Sequence, residues 1–285
     1  MQTSPVLAHI DADMPNAISR LQDLLRIRSI STDPAYKGEC LQAAEWLVRD
    51  LNSFGITARV RPTPGHPMVV GHVAGPQGAP HVLFYGHYDV QPVDPLDLWH
   101  SDPFDPAITD GPHGPTIQAR GASDDKGQLM TFVEATRAWQ KVHGALPCSI
   151  TFLFEGEEES SSPSLVPFLQ ENAAELQADL ALICDTGLFQ SKTPAIMTML
   201  RGMMPEELTI HGPSRDLHSG MYGGVAMNPI RVLTKILGTM HDDQGRITIP
   251  HFYDGVPDLP ADIAADWQAL NFDTDAFLGD VGLAQ

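Results

Sequence analysis

The chain has 285 residues, enough for one or two domains, and 42% of them are hydrophobic, enough for a core. Its 36 Asp and Glu against 17 Lys and Arg leave a formal charge of -19. That balance excludes the basic face with which a protein displaces counterions from nucleic acid, and it disfavours docking on an anionic membrane surface.

Residues Pro15 to Ile30 have helical apolar spacing through Ile18, Leu21, Leu24 and Leu25. Glu39 to Ser53 forms a second helical pattern, closed by Gly55. Strands are expected at 57–60, at MVVGHV (68–73) and at HVLFYG (81–86), where β-branched and aromatic residues concentrate. From Gln91 to Arg120 the prolines and polar residues read as a long loop. A helix from Lys126 to Val142 follows, then the apolar strand SITFLFE (149–155). Ser162-Pro163 opens a helix reaching Glu175, and DLALICD (179–185) is the next strand. After Gly202 the pattern restarts, with a strand at EELTIHG (206–212) and a helix from Asn228-Pro229 to Met240. The last 35 residues are acidic and weakly patterned. Alternating strands and helices predict an α/β fold with a mixed, mainly parallel sheet flanked by helices. The domain boundary falls at 201/202, and residues 202–285 form the start of a smaller α/β domain.

No apolar run reaches the roughly 20 residues that span a bilayer, and the first residues lack the pattern of a secretory leader. Cys40, Cys148 and Cys184 form no CxxC pair and no disulfide framework, which fits a reducing cytoplasm.

Four clusters carry the chemistry. In His87-Tyr88-Asp89, at a strand end, the i and i+2 side chains point the same way, so Asp89 can brace the His87 ring. Asp124-Asp125 lies in the turn RGASDDKG before a helix. Its order, Lys-Gly, is not that of a phosphate loop. Glu155-Gly156-Glu157-Glu158-Glu159-Ser160-Ser161-Ser162 follows the buried strand SITFLF, and Asp185 ends the strand DLALIC. Each alone also reads blandly, as a His–Asp pair, an acidic helix cap, a solvated acidic loop or a loop aspartate. Together they share a place: the carboxyl edge of a sheet, where α/β sites assemble. Imidazole and carboxylates without thiolate suit zinc, manganese or cobalt. Two metals sharing one aspartate would account for so much acid in one place.

The motifs GHYDVQP (86–92), WHSDPFDP (99–106), ARGASDDKG (119–127), FEGEEESSS (154–162), LICD (182–185) and DLHSGMYGG (216–224) resemble the M20 family of metallopeptidases, in particular its carnosine dipeptidase and cytosolic nonspecific dipeptidase branch. The resemblance implies a zinc-peptidase-like catalytic domain over 1–201 and a lid and dimerisation domain over 202–285. It implies two divalent metal ions, zinc first and manganese or cobalt as alternatives. It assigns His87, Asp124 and Asp185 to the first metal, and Asp124, as the bridge, with Glu159 to the second. It makes Asp89 the orienting carboxylate, Glu158 the general base on the attacking water, and His218 a lid residue serving the neighbouring subunit of a homodimer. It also implies a cis peptide between Asp124 and Asp125, and a small peptide or N-acyl amino acid as substrate.

An aspartate at 185 is more like the peptidases than the deacylases of that family, which leaves N-acyl amino-acid deacylation as the alternative activity. A non-catalytic descendant acting as a binding protein is the third reading, and the retained Glu158-Glu159 pair argues against it. The family's last metal-ligating histidine has no motif here; after His218 only His241 and His251 remain. The expectation is therefore a C-terminally truncated copy that holds one metal tightly and turns over poorly.

Overall fold

The computed structural model describes residues 1–111, 114–189, 193, 195–279 and 281–283. They form two units, Met1–Leu200 and Arg201–Gln285. Among the described residues, no helix is long and apolar enough to cross a membrane.

The first unit opens with helix α1 (Ser4–Leu25), which starts earlier and ends sooner than the expected 15–30. Pro5, in the first turn, gives up only an N–H that would be unbonded anyway. Pro15 lies inside the helix on its exposed side, where water can serve the carbonyl it leaves free. The helix stops at Leu25, and the buried Lys126 Nζ donates to Leu24 O in its last turn at 3.2 Å and to Ile27 O just beyond it at 2.7 Å. Helix α2 (Lys37–Ser53) buries Cys40, Ala44, Leu47 and Leu51 along one stripe, and Gly55 follows it at φ 96°.

Strands β1 (Thr57–Arg61), β2 (Met68–Val73) and β3 (His81–His87) come next. The expected loop 91–120 holds a hairpin, β4 (Ala107–Gly111) and β5 (Gly114–Gln118). Its alternating Ile and Thr pair across the strands, Ile108 with Ile117 and Thr109 with Thr116. Pro115 is tolerated because a two-stranded ribbon has free edges. Pro112 and His113 lie outside the described residues. Helix α3 (Lys126–His143) and strand β6 (Ser149–Glu155) fall where expected.

The helix expected from 162 to 175 begins later and breaks into α4 (Leu165–Glu171) and α5 (Ala173–Leu176). Its first residues are committed elsewhere: Ser162 Oγ donates to Glu155 Oε1 at 3.0 Å and Ser164 N to Glu157 Oε2 at 3.1 Å. The break is at Asn172, which accepts from Arg61 Nη2 at 2.5 Å. Strand β7 (Leu180–Ile183) completes the sheet.

The sheet order is β1-β2-β6-β3-β7. The half that carries the site, β6-β3-β7, is parallel, and β1-β2-β6 is antiparallel. One apolar layer, including Leu24, Leu47, Leu129, Val133, Phe152 and Phe154, joins α1, α2 and α3 to one face. A smaller layer of Met68, Val70, Leu83, Leu153, Phe168 and Leu176 covers part of the other.

The second unit contains α6 (Ser219–Tyr222), α7 (Pro229–Leu237), α8 (Ala261–Ala269) and α9 (Thr274–Gly279). Asn228 caps α7 by accepting from Ile230 N at 2.9 Å, at the expected start. The helix ends at Leu237, three residues short of the expected Met240, and Gly238 is its C-cap. Residues 206–212 are not a strand, because no other strand is present among the described residues of this unit to pair with them. The acidic end, expected to be weakly patterned, forms α8 and α9.

Glu175 ties α5 to the sheet through Arg61 Nη1 at 2.7 Å and His72 Nε2 at 3.1 Å. The Arg61 hydrogen bond holds its pKa down, at about 2. A depressed carboxylate stabilises the fold above its unfolded pKa, and the gain is lost as pH falls through the folded value. The difference in denaturant midpoint between the parent and Glu175→Gln should therefore be largest above about pH 5 and shrink steadily below it. A gap independent of pH would show that the ion pair is not its source.

Candidate metal centre

β3 and β6 stay in parallel register to their last residues, His87 opposite Glu155. On the other side of β3, Tyr85 faces Ile183 at the end of β7. Two residues further along each chain are His87 and Asp185. Helix α3 starts directly after Asp124-Asp125, whose peptide bond is cis, as expected. A Cβ on Gly86 would stand 2.7 Å from Asp125 Oδ2 and 3.0 Å from Leu129 Cβ, so only glycine lets α3 begin this close to β3.

His87 is fully buried. Its Nδ1 lies 3.0 Å from the Asp89 carbonyl and 3.4 Å from Asp89 Oδ1, so the shorter contact is to the backbone. A proton on Nδ1 leaves the Nε2 lone pair facing forward. Around Nε2 stand Asp124 Oδ1 at 3.0 Å, Asp185 Oδ2 at 3.7 Å and Glu158 Oε2 at 3.9 Å. Yet among the described residues the buried Nε2 has no hydrogen-bond partner, although the Asp124 oxygen stands 3.0 Å away. Ligand atoms of His87, Asp124 and Asp185 all fall within 4.8 Å of one another. A buried lone pair and converging carboxylate oxygens repel unless a positive charge sits between them. The donor set of one imidazole and two carboxylates fits a divalent cation such as zinc.

The electrostatics agree. Burial disfavours a charged His87 ring, but Asp89, Asp125 and Glu158 outweigh it and push its pKa up to about 10. Burial also raises Glu158 and Glu159, with neighbouring carboxylates adding to the effect. Asp125, buried and accepting from His87 N at 2.9 Å, is pushed up to about 7 by its burial. The site as a whole demands positive charge.

Asp89 does more than face a ring. Its two oxygens accept from Glu158 N at 3.2 Å and Glu159 N at 3.1 Å, which joins the acidic turn to the end of β3. Glu158 is half-exposed beside the cluster. Glu159 is not among the three converging groups, and its Oε2 accepts from Gln91 Nε2 at 2.7 Å. His218 lies in the second unit, exposed, where its Nδ1 accepts from Gly220 N at 3.1 Å and caps α6.

The family model "Peptidase family M20/M25/M40" matches residues 83–270, more than half of the chain. The chain belongs to this family. Among its M20 relatives, the Cys-Gly metallodipeptidase of Candida albicans is 32% identical over 270 residues, covering 90% of this chain and 55% of its own. The human Beta-Ala-His dipeptidase is 27% identical over 289 residues, covering 95% and 56%. The solved structure of the di-peptidase Dug1p from Saccharomyces cerevisiae superposes with a TM-score of 0.75 at 26% identity, over 99% of this chain and 61% of that one. The chain thus spans about half the length of the curated relatives it matches.

The contacts of several residues beside the site are not readable from the sequence. Glu155 is buried and accepts from the Tyr85 and Ser162 hydroxyls. Glu157 is also buried, and it accepts from His66 N at 2.9 Å and Ser164 N. The first two glutamates of EGEEE are thus bound inward, and the last two are only partly buried. Strand alternation gives no such signal, since it places Glu155 on the face of Ser149, Thr151 and Leu153 while β6 is buried on both faces. Lys126, whose pKa burial lowers to about 7, could not have been found, because its partners lie about a hundred residues away.

Asp89→Asn keeps the shape of the side chain but replaces one of its two accepting oxygens with a donor. It should weaken zinc binding by about 10–100-fold, the usual effect of losing a carboxylate behind a metal ligand. Competition against a chromogenic chelator would measure it, and unchanged affinity would leave Asp89 without that role.

Proposed function

We propose that the chain is a metal-dependent hydrolase of the M20 family that cleaves the amide bond of dipeptides or similar small substrates. The observation that carries this reading is the buried, unpartnered His87 Nε2 facing the Asp124 and Asp185 carboxylates. The names of the relatives, a Cys-Gly metallodipeptidase and a Beta-Ala-His dipeptidase, support a dipeptide as substrate. Bound divalent cations would polarise the scissile carbonyl and acidify water.

In this reading His87, Asp124 and Asp185 hold the first of two zinc ions, and Asp124 with Glu159 holds the second. Asp89 fixes the His87 ring through the 3.0 Å carbonyl contact and ties the 158–159 turn to it. Glu158 is the general base: its carboxylate stands beside the cluster, 3.9 Å from His87 Nε2, and is open to solvent on one side. It takes a proton from the attacking water and gives it to the departing amine. Residues 1–201 would be the catalytic domain and 202–285 the lid and dimerisation domain, a division supported by the two units meeting at Leu200 and Arg201. Exposed His218 would then serve the site of a partner subunit. Free Cys40, Cys148 and Cys184 are consistent with a cytoplasmic enzyme.

The test is zinc binding and product formation, followed by mass spectrometry on a panel of dipeptides and N-acyl amino acids. Glu158→Gln should bind zinc as the parent does and lose about a hundredfold or more in dipeptide hydrolysis. Cleavage of N-acyl amino acids in preference to dipeptides would replace the peptidase reading with a deacylase. Full turnover by Glu158→Gln would remove Glu158 from the mechanism.

A further inference from the structure

We propose that Gln128 is a positioning residue that sets the span between the Asp124 and Asp185 carboxylates. The proposal rests on the cation site described above and adds a residue to it. Among the described residues, Asp185 has few other attachments. β7 is four residues long, lies at the edge of the sheet and is exposed along its length. Its ladder with β3 ends at Ile183, two residues before Asp185. Beyond that point the backbone makes a local turn, Thr186 N to Cys184 O at 2.7 Å, which shapes the loop without fixing it to anything.

Gln128 supplies the attachment. Its Oε1 accepts from Thr186 N at 2.6 Å, next to Asp185. Its Nε2 donates to Ser123 Oγ at 3.3 Å, next to Asp124. One side-chain amide therefore touches both peptide segments that carry a carboxylate of the site. It stands on α3, one turn after Asp124, and the adjoining Leu129 and Met130 are buried in the main core. The base of the clamp is thus rigid while its target is a strand end at a sheet edge. A second contact from the same helix, Thr131 Oγ1 to Cys184 Sγ at 3.6 Å, lies beside it. An amide suits this place because it offers an acceptor and a donor without adding another negative charge.

The test is a double-mutant cycle on zinc affinity in the 285-residue chain, read by calorimetry or chelator competition, with folding checked by circular dichroism. Gln128→Met keeps length and volume but loses both polar atoms. It should weaken zinc binding by about tenfold. Gln128→Ala, which cannot overfill the site, should give a similar loss. In an Asp185→Asn background the loss from Gln128→Met should shrink to about twofold or less, because the ligand it positions is already gone. Parental affinity in both Gln128 variants would overturn the proposal, and so would a tenfold loss that persists undiminished without Asp185. A parent chain that takes up no zinc would instead overturn the cation site itself, a distinct result.

Discussion

A buried imidazole nitrogen surrounded by carboxylates calls for a positive charge, as a proton or as a metal cation, and the site edge of this protein is organised around that need. His87 Nε2 has Asp124, Asp185 and Glu158 oxygens within 4 Å and no hydrogen-bond partner among the described residues. His87 is buried while Asp124, Asp185 and Glu158 keep partial contact with water, so charges at these distances interact more strongly than in bulk water but stay partly screened. The fold brings like charges together there and leaves the balancing charge to be supplied from solution.

Holding that arrangement is the work of residues that touch no cation. The parallel register of β3 with β6 and β7 delivers three strand ends side by side. Gly86 allows α3 to start against β3, and the Asp125 carboxylate then locks the two together through His87 N. Ser29 anchors the continuation of β3, donating to Tyr88 O at 2.6 Å and accepting from Val90 N at 2.9 Å. Lys126 fastens the end of α1 beneath the site. Each of these is a close, directional contact, so small changes in packing translate into changes in ligand geometry.

The parts legible in the sequence were those whose signals are local. α2, β2, β3, α3 and β6 announce themselves by periodicity, and the acidic clusters by their position after apolar strands. Such patterns do not report on pairing between distant segments. The hairpin β4–β5 was hidden among prolines, and 206–212 looks like a strand but finds no partner among the described residues of its unit. The start of α1 was lost because Pro15 reads as a beginning when it lies on an exposed helix face. Within the site, His87, Asp89, Asp124, Glu158, Glu159 and Asp185 could be picked out, and it was the resemblance to the M20 family, not periodicity or spacing, that grouped His87, Asp124 and Asp185. The structure draws His87, Asp124 and Asp185 together and engages Glu159 with Gln91. That sorting depends on contacts between residues 68 apart, which no local pattern encodes.

The central claim is that a cation belongs between His87, Asp124 and Asp185. Anomalous diffraction at the zinc edge, from crystals of the chain grown with zinc, addresses it directly. The account predicts a peak at about 2.0–2.2 Å from His87 Nε2 and from one oxygen each of Asp124 and Asp185. Zinc bound only elsewhere, with His87 Nε2 unligated, would contradict it.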